Sequence, residues 1–488
     1  NPDDKVLRHD KRTLDILLAK YSVLASLAEK DPDTRVLKGL AGSAEQIVRI
    51  IEYIRLNIGE EQSRLLLGDN YRDAYLNVIS SFFRLYLVSG LQENLERAIE
   101  YTEKSKAASL LASVREMKAM RHFIPAGLIA AERKAFGDVS YYSAKLDEEI
   151  NSPDPDRDLI SLWERSLYSA EATRDSLRNV FEKQYAGYYE LKYNPVSVDA
   201  QSIRKIAGRD KDYLSYVVSD SLLYTVLVNR KLMHLEAIKI DDDFRRMVTE
   251  YRRLISEPDR DSKAREEFMK IQEYGYRLYS FLIEPVEKLF ISDKLIVSPD
   301  NLLAFFPFET LVSSQDLHND LYYSKLSYLM NDYRISYAYS AALLMESGEA
   351  RRAFRNRTAA FAPSYDRHIH ADSLSENRQM SEGLLTELKF AAEEAEFVSD
   401  STRGELYSGK KATKAAYAGL APHFDILHLA MHTVLNSRDP LSSGMIFAGQ
   451  SDSSDIYLRP YEIYAIPLDA GMVVLSSCYT GAGDMYSG

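Results

Sequence analysis

The chain has 488 residues, more than one ordinary domain, and its length predicts two or three. A formal net charge of −12 argues against a nucleic-acid binder that neutralises phosphates, and no apolar run is long enough to span a membrane. The single cysteine, Cys478, excludes an intramolecular disulfide and any zinc site built on several cysteines, so we expect a reducing compartment, the cytoplasm.

Residues 1–193 have the apolar spacing of helices throughout. One stripe places apolar or small side chains at positions i, i+3, i+4 and i+7: Leu95, Ala98, Ile99 and Thr102. Breakers such as Asp31-Pro32 and Gly90 separate one helix from the next. The pattern predicts an all-α domain of helix pairs similar to tetratricopeptide (TPR) repeats, although no 34-residue signature recurs cleanly.

Residues 194–290 change period and predict strands followed by helices. Apolar runs at Tyr213–Val218, Leu222–Val228 and Leu232–Ile238 are separated by short polar segments, the first of them Ser219-Asp220-Ser221. Such runs predict a hairpin or meander. Residues 241–290 return to a helical pattern and complete this second region.

Residues 291–488 alternate between strand-like and helix-like segments. Strands are predicted at Ala359–Ala362, around Leu406 and from Ile426, and helices around Glu387–Ser399 and after Thr413. This alternation predicts an α/β domain with a mostly parallel sheet and helices on both of its faces.

Two apolar runs near the end of the chain each lead to a reactive side chain. Phe424–Met431 is followed by His432, and Met472–Ser476 is followed two residues later by Cys478. Ligands of open α/β sheets bind beyond the carboxyl ends of the strands, so neighbouring parallel strands would bring imidazole and thiol together. An imidazole beside a thiol is the arrangement that nucleophilic cysteine catalysis requires.

The residues around this pair resemble those of a known family. HLAMHT at 428–433 and LSSCYTG at 475–481 are similar to motifs of CHAT domains, as are LIVSPDNLLAFFPFETL at 295–311 and YRISYAYSAALL at 333–344. CHAT domains are caspase-like and separase-like cysteine peptidase domains, usually joined to TPR-type helical repeats. The resemblance implies a caspase-like fold in which Cys478 is the nucleophile and His432 the base.

Further site residues follow from the resemblance. The backbone N–H groups of Cys478 and Thr433 would form the oxyanion hole, with Thr433 standing where the family usually has glycine. Asp439 and Asp484 are candidates for the substrate pocket. No cofactor and no metal are expected, since the Gly404–Lys410 stretch lacks the hydroxyl residue that a phosphate-binding loop needs next.

Two other polar residues lie on the first of these runs. His428 shares a strand face with His432 and is either a packed, hydrogen-bonded core histidine or a group that orients the dyad. Asp425 is the one carboxylate that we consider as a third catalytic member.

The sequence therefore predicts a cysteine endopeptidase that cleaves a protein substrate under control of a protein partner bound to its helical repeats. Nucleic-acid and membrane partners are not expected. The resemblance implies a role in bacterial defence or cell-death-like signalling. CHAT domains usually continue beyond the position of Gly488, so we also expect a continuation or a second chain that completes the fold. The alternative is an inert pseudopeptidase that serves as a scaffold.

Overall fold

The computed structural model forms two compact units, one of residues up to 349 and one of residues 350–485. It describes residues 11–56, 71–106, 108–120, 123–150, 152–194, 198–256, 264–315, 321–348, 355–365, 388–434, 443–449, 456–466, 468 and 470–476. No helix in these described parts of the chain is both long enough and apolar enough to cross a bilayer.

The first unit begins with an all-α region, as the sequence predicts. Its helices are α1 (Lys11–Lys30), α2 (Thr34–Leu56), α3 (Arg72–Ser89), α4 (Gln92–Lys104), α5 (Ala108–Met120), α6 (Ala126–Ile150), α7 (Arg157–Gln184) and α8 (Ala186–Tyr193). Helices α1 to α4 pack in succession, α6 packs against α7, and α5 packs against α8. Packing of neighbouring helices is typical of helical repeats. Gly90 ends α3 with a φ of 66°, a left-handed conformation that glycine adopts without steric cost.

A five-stranded mixed sheet follows in the same unit. Its strands are β1 (Asp212–Val218), β2 (Leu222–Val228), β3 (Met233–Lys239), β4 (Lys294–Ser298) and β5 (Arg334–Tyr337), and helices α9 (Ala200–Ala207), α10 (Asp242–Ser256), α11 (Ala264–Leu282), α12 (Glu284–Glu287) and α13 (Ala341–Gly348) accompany them. The order is β3-β2-β1-β4-β5. The first three strands form the predicted antiparallel meander, whereas β1, β4 and β5 run parallel.

Alternate side chains of β1 enter two different cores. Tyr213 and Val217 pack with α1 to α4, whereas Leu214, Tyr216 and Val218 pack with α10 to α12 on the other face. This period of two is what a strand buried on both sides requires. The sheet therefore has helices on both faces, and the N-terminal helices form one of those two layers.

The N-terminal helices divide between two cores. Helices α1 to α4 share their core with the sheet, whereas α5 to α8 have a core of their own built on Phe136, Phe181, Tyr188 and Tyr193. The apolar packing therefore continues across residue 193. The three-domain division at residues 193 and 290 remains a prediction from the sequence.

The second unit contains a four-stranded parallel sheet and a small antiparallel one. Its elements are β6 (Thr358–Pro363), α14 (Ala391–Thr402), β7 (Glu405–Gly409), α15 (Lys414–Leu420), β8 (Ile426–Ala430), β9 (Thr433–Val434), β10 (Gly444–Ile446), β11 (Tyr457–Leu458), α16 (Pro460–Ala465) and β12 (Met472–Ser476). The parallel order is β12-β8-β6-β7, and the antiparallel order is β11-β10-β9.

The two faces of the parallel sheet pack differently. On one face Ala360, Ala362 and Ala430 meet Ala391 and Ala395 of α14, and these small side chains let the helix approach closely. On the other face, the larger side chains of Phe361, Leu427 and Leu429 pack with Tyr417 of α15 and with Phe447, which follows β10. The predicted fold class, an all-α region followed by mostly parallel sheet with helices on both faces, is confirmed.

A buried polar network joins the N-terminal helices to the first sheet. The Lys106 ammonium donates to the Ser215 hydroxyl at 2.6 Å and to the Ser298 carbonyl at 2.9 Å. Ser215 in turn donates to Glu103 at 2.6 Å, and Glu103 also accepts from the Ala341 N–H at the start of α13. Burial lowers the pKa of Lys106, and the Glu103 carboxylate opposes that shift.

We expect that breaking this network by one substitution destabilises the first unit strongly. Lys106→Met leaves the Glu103 charge buried without its counter-charge, and Glu103→Gln does the same to Lys106. Each should lower the free energy of unfolding by about 3 kcal/mol, measured by urea unfolding followed by circular dichroism. The double variant should lose less than the sum of the two. Additive losses, or an equal loss in the exposed control Lys205→Met, would contradict this account.

Candidate functional site

Three neighbouring parallel strands of the second sheet, β12, β8 and β6, have their carboxyl ends along one edge of the sheet. In β8 and β12 residue 426 pairs with 472 and residue 430 with 476, so paired residues differ by 46 in number throughout. On the other side of β8, the first register pair with β6 is Thr358 with Ile426. His432 follows the end of β8 by two residues and therefore lies at the carboxyl edge, where parallel sheets bind ligands.

The backbone of His432 is held on both sides. Its carbonyl accepts from the Ile446 N–H of β10 at 2.9 Å. Its own N–H donates to the Tyr365 hydroxyl at 3.0 Å, and that hydroxyl donates to the Ile446 carbonyl at 3.0 Å. The three residues thus form a closed ring of hydrogen bonds where the chain leaves one sheet and enters the other.

The Tyr365 side chain also contacts the imidazole of His432. The two ring centroids lie 4.9 Å apart at an interplanar angle of 49°. Burial raises the pKa of Tyr365, so its hydroxyl keeps its proton and remains a donor to Ile446 over the whole physiological range. His432 itself is partly exposed, and a substrate can reach it from the sheet edge.

Thr433 is the first residue of β9 and lies opposite Met445. The direct bond between His432 and Ile446 makes their positions the hydrogen-bonded pair of this ladder, so Thr433 belongs to the alternate pair, and its N–H is directed to the side of β9 away from β10. Extended backbone suits a β-branched residue. Threonine therefore fits here in place of the glycine that the family usually has.

His428 is buried on the face of β8 that α14 covers. Its Nε2 lies 3.0 Å from Glu394 Oε1 of α14. Four residues of strand separate His428 from His432, which is roughly 13 Å along the chain and far beyond hydrogen-bond reach. The partner of His428 is therefore Glu394.

Asp425 lies at the opposite end of β8 from His432. Its carboxylate accepts from the backbone N–H groups of Arg355 and Arg357, both at 3.1 Å, and pairs with the Arg357 guanidinium. Its carbonyl accepts from the N–H groups of Gly471 and Met472 at the start of β12. Seven residues separate it from His432, roughly 20 Å of chain, so it cannot orient the imidazole. Asp425 instead fixes the starts of β6, β8 and β12 together.

Of the residues singled out from the sequence, His432 and Thr433 are brought to one edge, and His428 and Asp425 lie away from it. Cys478, Asp439 and Asp484 lie outside the described residues. Sequence reasoning missed Tyr365, although the rule that singled out His432 applies to it, since Tyr365 follows the end of β6 by two residues. No group of three His, Cys, Asp or Glu side chains within the described ranges could hold a metal ion.

A family model for the CHAT domain matches residues 272–488. This match begins within α11 and includes all four motifs on which the resemblance rests. Residues 272–488 are therefore a CHAT domain, of the caspase-like peptidase family, as the sequence predicts. No curated protein matches the chain.

We expect Asp425→Asn to lower the melting temperature of the second unit, because it removes the charge that the Arg357 guanidinium and the two backbone N–H groups bind. Those contacts hold the pKa of Asp425 below its ordinary value. A depressed folded-state pKa adds stability above the unfolded value of about 3.9, and that stability is lost as pH falls through the folded value.

Circular dichroism melts over a pH series should therefore show a wild-type melting temperature that falls below about pH 4 more steeply than that of the variant. Asp400→Asn, which changes an exposed aspartate of α14, is the matched control and should behave as wild type. Parallel pH profiles for wild type and Asp425→Asn would show that this carboxylate does not clamp the strands.

Proposed function

We propose that the CHAT domain of residues 272–488 makes this protein a cysteine endopeptidase, with Cys478 as nucleophile and His432 as general base. One observation carries the proposal. Every residue of β12 is paired with the residue of β8 that is 46 positions earlier, and Cys478 is 46 positions after His432.

The pairing of β8 with β12 explains why the shared spacing of 46 residues matters for the site. Neighbouring strands lie about 4.8 Å apart, and paired residues present their side chains to the same face. Ser476 pairs with Ala430, and in the sequence Cys478 and His432 each follow by two residues. Continuing both strands in the same register would bring the thiol and the imidazole next to one another, on the face to which Ala430 belongs.

The chemistry follows that of cysteine peptidases in general. His432 takes the thiol proton, and the Cys478 sulfur attacks the carbonyl carbon of the scissile peptide bond to form a carbon–sulfur bond. The carbon–nitrogen bond then breaks, and the His432 imidazolium gives its proton to the leaving amine. Water, deprotonated by His432, hydrolyses the resulting thioester and restores the free thiol.

The negative charge on the carbonyl oxygen needs donors that are already in place. We assign this role to the backbone N–H groups of Thr433 and Cys478. The direction of the Thr433 N–H, away from β10, supports its part in this assignment, because an oxyanion hole requires donors aimed into the cleft and not into the sheet. Asp439 and Asp484 stay predictions for the substrate pocket.

The N-terminal helices are the candidate binding region for a regulatory protein. Helices α6 and α7 form a long antiparallel hairpin that exposes large apolar side chains, among them Tyr141, Leu162 and Tyr168. Exposed apolar side chains of this size are typical of protein-binding surfaces. Helix α5 shares its core with α6 and α7, and its Lys118 donates to Glu346 of α13 at 2.7 Å, which gives such a partner a physical connection to the CHAT domain.

The proposal predicts that Cys478→Ala and His432→Ala each abolish cleavage of proteome-derived peptides, with losses of about a thousandfold or more. Mass spectrometry of new amino termini after incubation with the wild-type protein gives the measurement.

His423→Ala, which removes an exposed histidine of the same unit, is the matched control and should cleave as wild type does. Cleavage that survives in Cys478→Ala would overturn the proposal. A folded wild-type protein that cleaves nothing, with or without cellular extract, would favour the pseudopeptidase scaffold.

A further inference from the structure

The imidazole of His432 has a neighbour on the side of β8 opposite β12. The strand order β12-β8-β6 gives β8 two parallel neighbours, and the chain beyond β6 leads to Tyr365. Tyr365 is almost fully buried, with 5% of its surface exposed, although it lies at a sheet edge with a polar hydroxyl. A buried hydroxyl that makes hydrogen bonds to the backbone at two separate positions, His432 and Ile446, has a specific structural role.

That role is visible in the ladder between β9 and β10. An antiparallel hydrogen-bonded pair normally exchanges two direct bonds, and His432 and Ile446 make only one of them directly. The second bond would join the His432 N–H to the Ile446 carbonyl. Here the Tyr365 hydroxyl bridges these two groups, accepting from His432 and donating to Ile446. The peptide preceding His432 is therefore fixed by a side chain that follows β6, the neighbouring strand of the parallel sheet.

The ring of Tyr365 restricts the imidazole as well. With 4.9 Å between centroids, the tyrosine covers one side of the imidazole and limits its rotation about the side-chain bonds. Carboxylates orient histidine in many catalytic sites. Here the Tyr365 ring lies against the imidazole, while Asp425 pairs with Arg357 and Glu394 with His428.

We propose that Tyr365 is the positioning residue of the catalytic histidine: its hydroxyl fixes the backbone of His432, and its ring holds the imidazole in the orientation that the proposed dyad requires. This inference rests on the proposed Cys478–His432 dyad. Tyr365 itself does not touch the substrate or exchange a proton. Its effect passes through His432, and loss of the orientation would let the imidazole turn away and leave the thiol protonated at neutral pH.

Alkylation of Cys478 by iodoacetamide tests this without knowledge of the substrate. Cys478 is the one cysteine of the sequence, so intact mass reports its reaction alone. We expect Tyr365→Phe, which keeps the ring and loses the hydroxyl, to react about tenfold more slowly than wild type at pH 7, and Tyr365→Leu to react more slowly still. At alkaline pH, where any thiol is ionised, the three rates should converge.

The matched control is Tyr417→Phe, since Tyr417 is a buried tyrosine of the same unit that packs on Phe361 and Phe447 away from His432. It should react as wild type does. The circular dichroism spectrum of Tyr365→Phe should match that of wild type, because a variant that loses structure would also have a thiol of ordinary pKa and would react slowly at pH 7 for that reason. His432→Ala separates the two proposals. If His432→Ala slows alkylation and Tyr365→Phe does not, the positioning role is wrong and the dyad stands. If neither slows it, the dyad itself is wrong.

Discussion

The parallel pairing of β8 with β12 is the constraint on which the proposed site depends. Two strands that start together at Asp425 and Met472 and pair residue by residue must also reach their carboxyl ends together. A shift of the register by one residue would move the side chains of one strand to the other face of the sheet. The carboxylate and the carbonyl of Asp425 therefore fix the register at the amino ends of the strands. That register determines which residues lie side by side at the carboxyl ends, where His432 lies.

The first unit is organised by a different constraint, the burial of charge. Glu103, at the end of α4, and Lys106 just after it contact the sheet through Ser215 and Ser298. A second, partly buried pair joins Arg72 of α3 to Asp300 at 2.5 Å. Buried charges of this kind are costly to separate. Helices α3 and α4 are consequently held to the carboxyl ends of β1 and β4, and a partner that moved them would act on the sheet.

Local patterns of the sequence were sufficient to predict the helical region, the meander and the parallel strands within a few residues, because hydrophobic periodicity and Gly or Pro breakers are local signals. Pairings between distant residues were not predictable. Asp425 holds the starts of the strands through its contacts with Arg357, which is 68 residues earlier. The partner of His428 is Glu394, which is 34 residues earlier. Tyr365 was within reach of the sequence rule for strand ends, but its task depends on β10, which no local pattern specifies.

The pKa of the Cys478 thiol tests the central claim most directly. It can be obtained from the ultraviolet absorbance of the thiolate as the difference between wild type and Cys478→Ala, since the sequence holds one cysteine. The register argument predicts a wild-type pKa well below the ordinary value of about 8.5, and a return to about 8.5 in His432→Ala. Equal values near 8.5 in wild type and His432→Ala would contradict it.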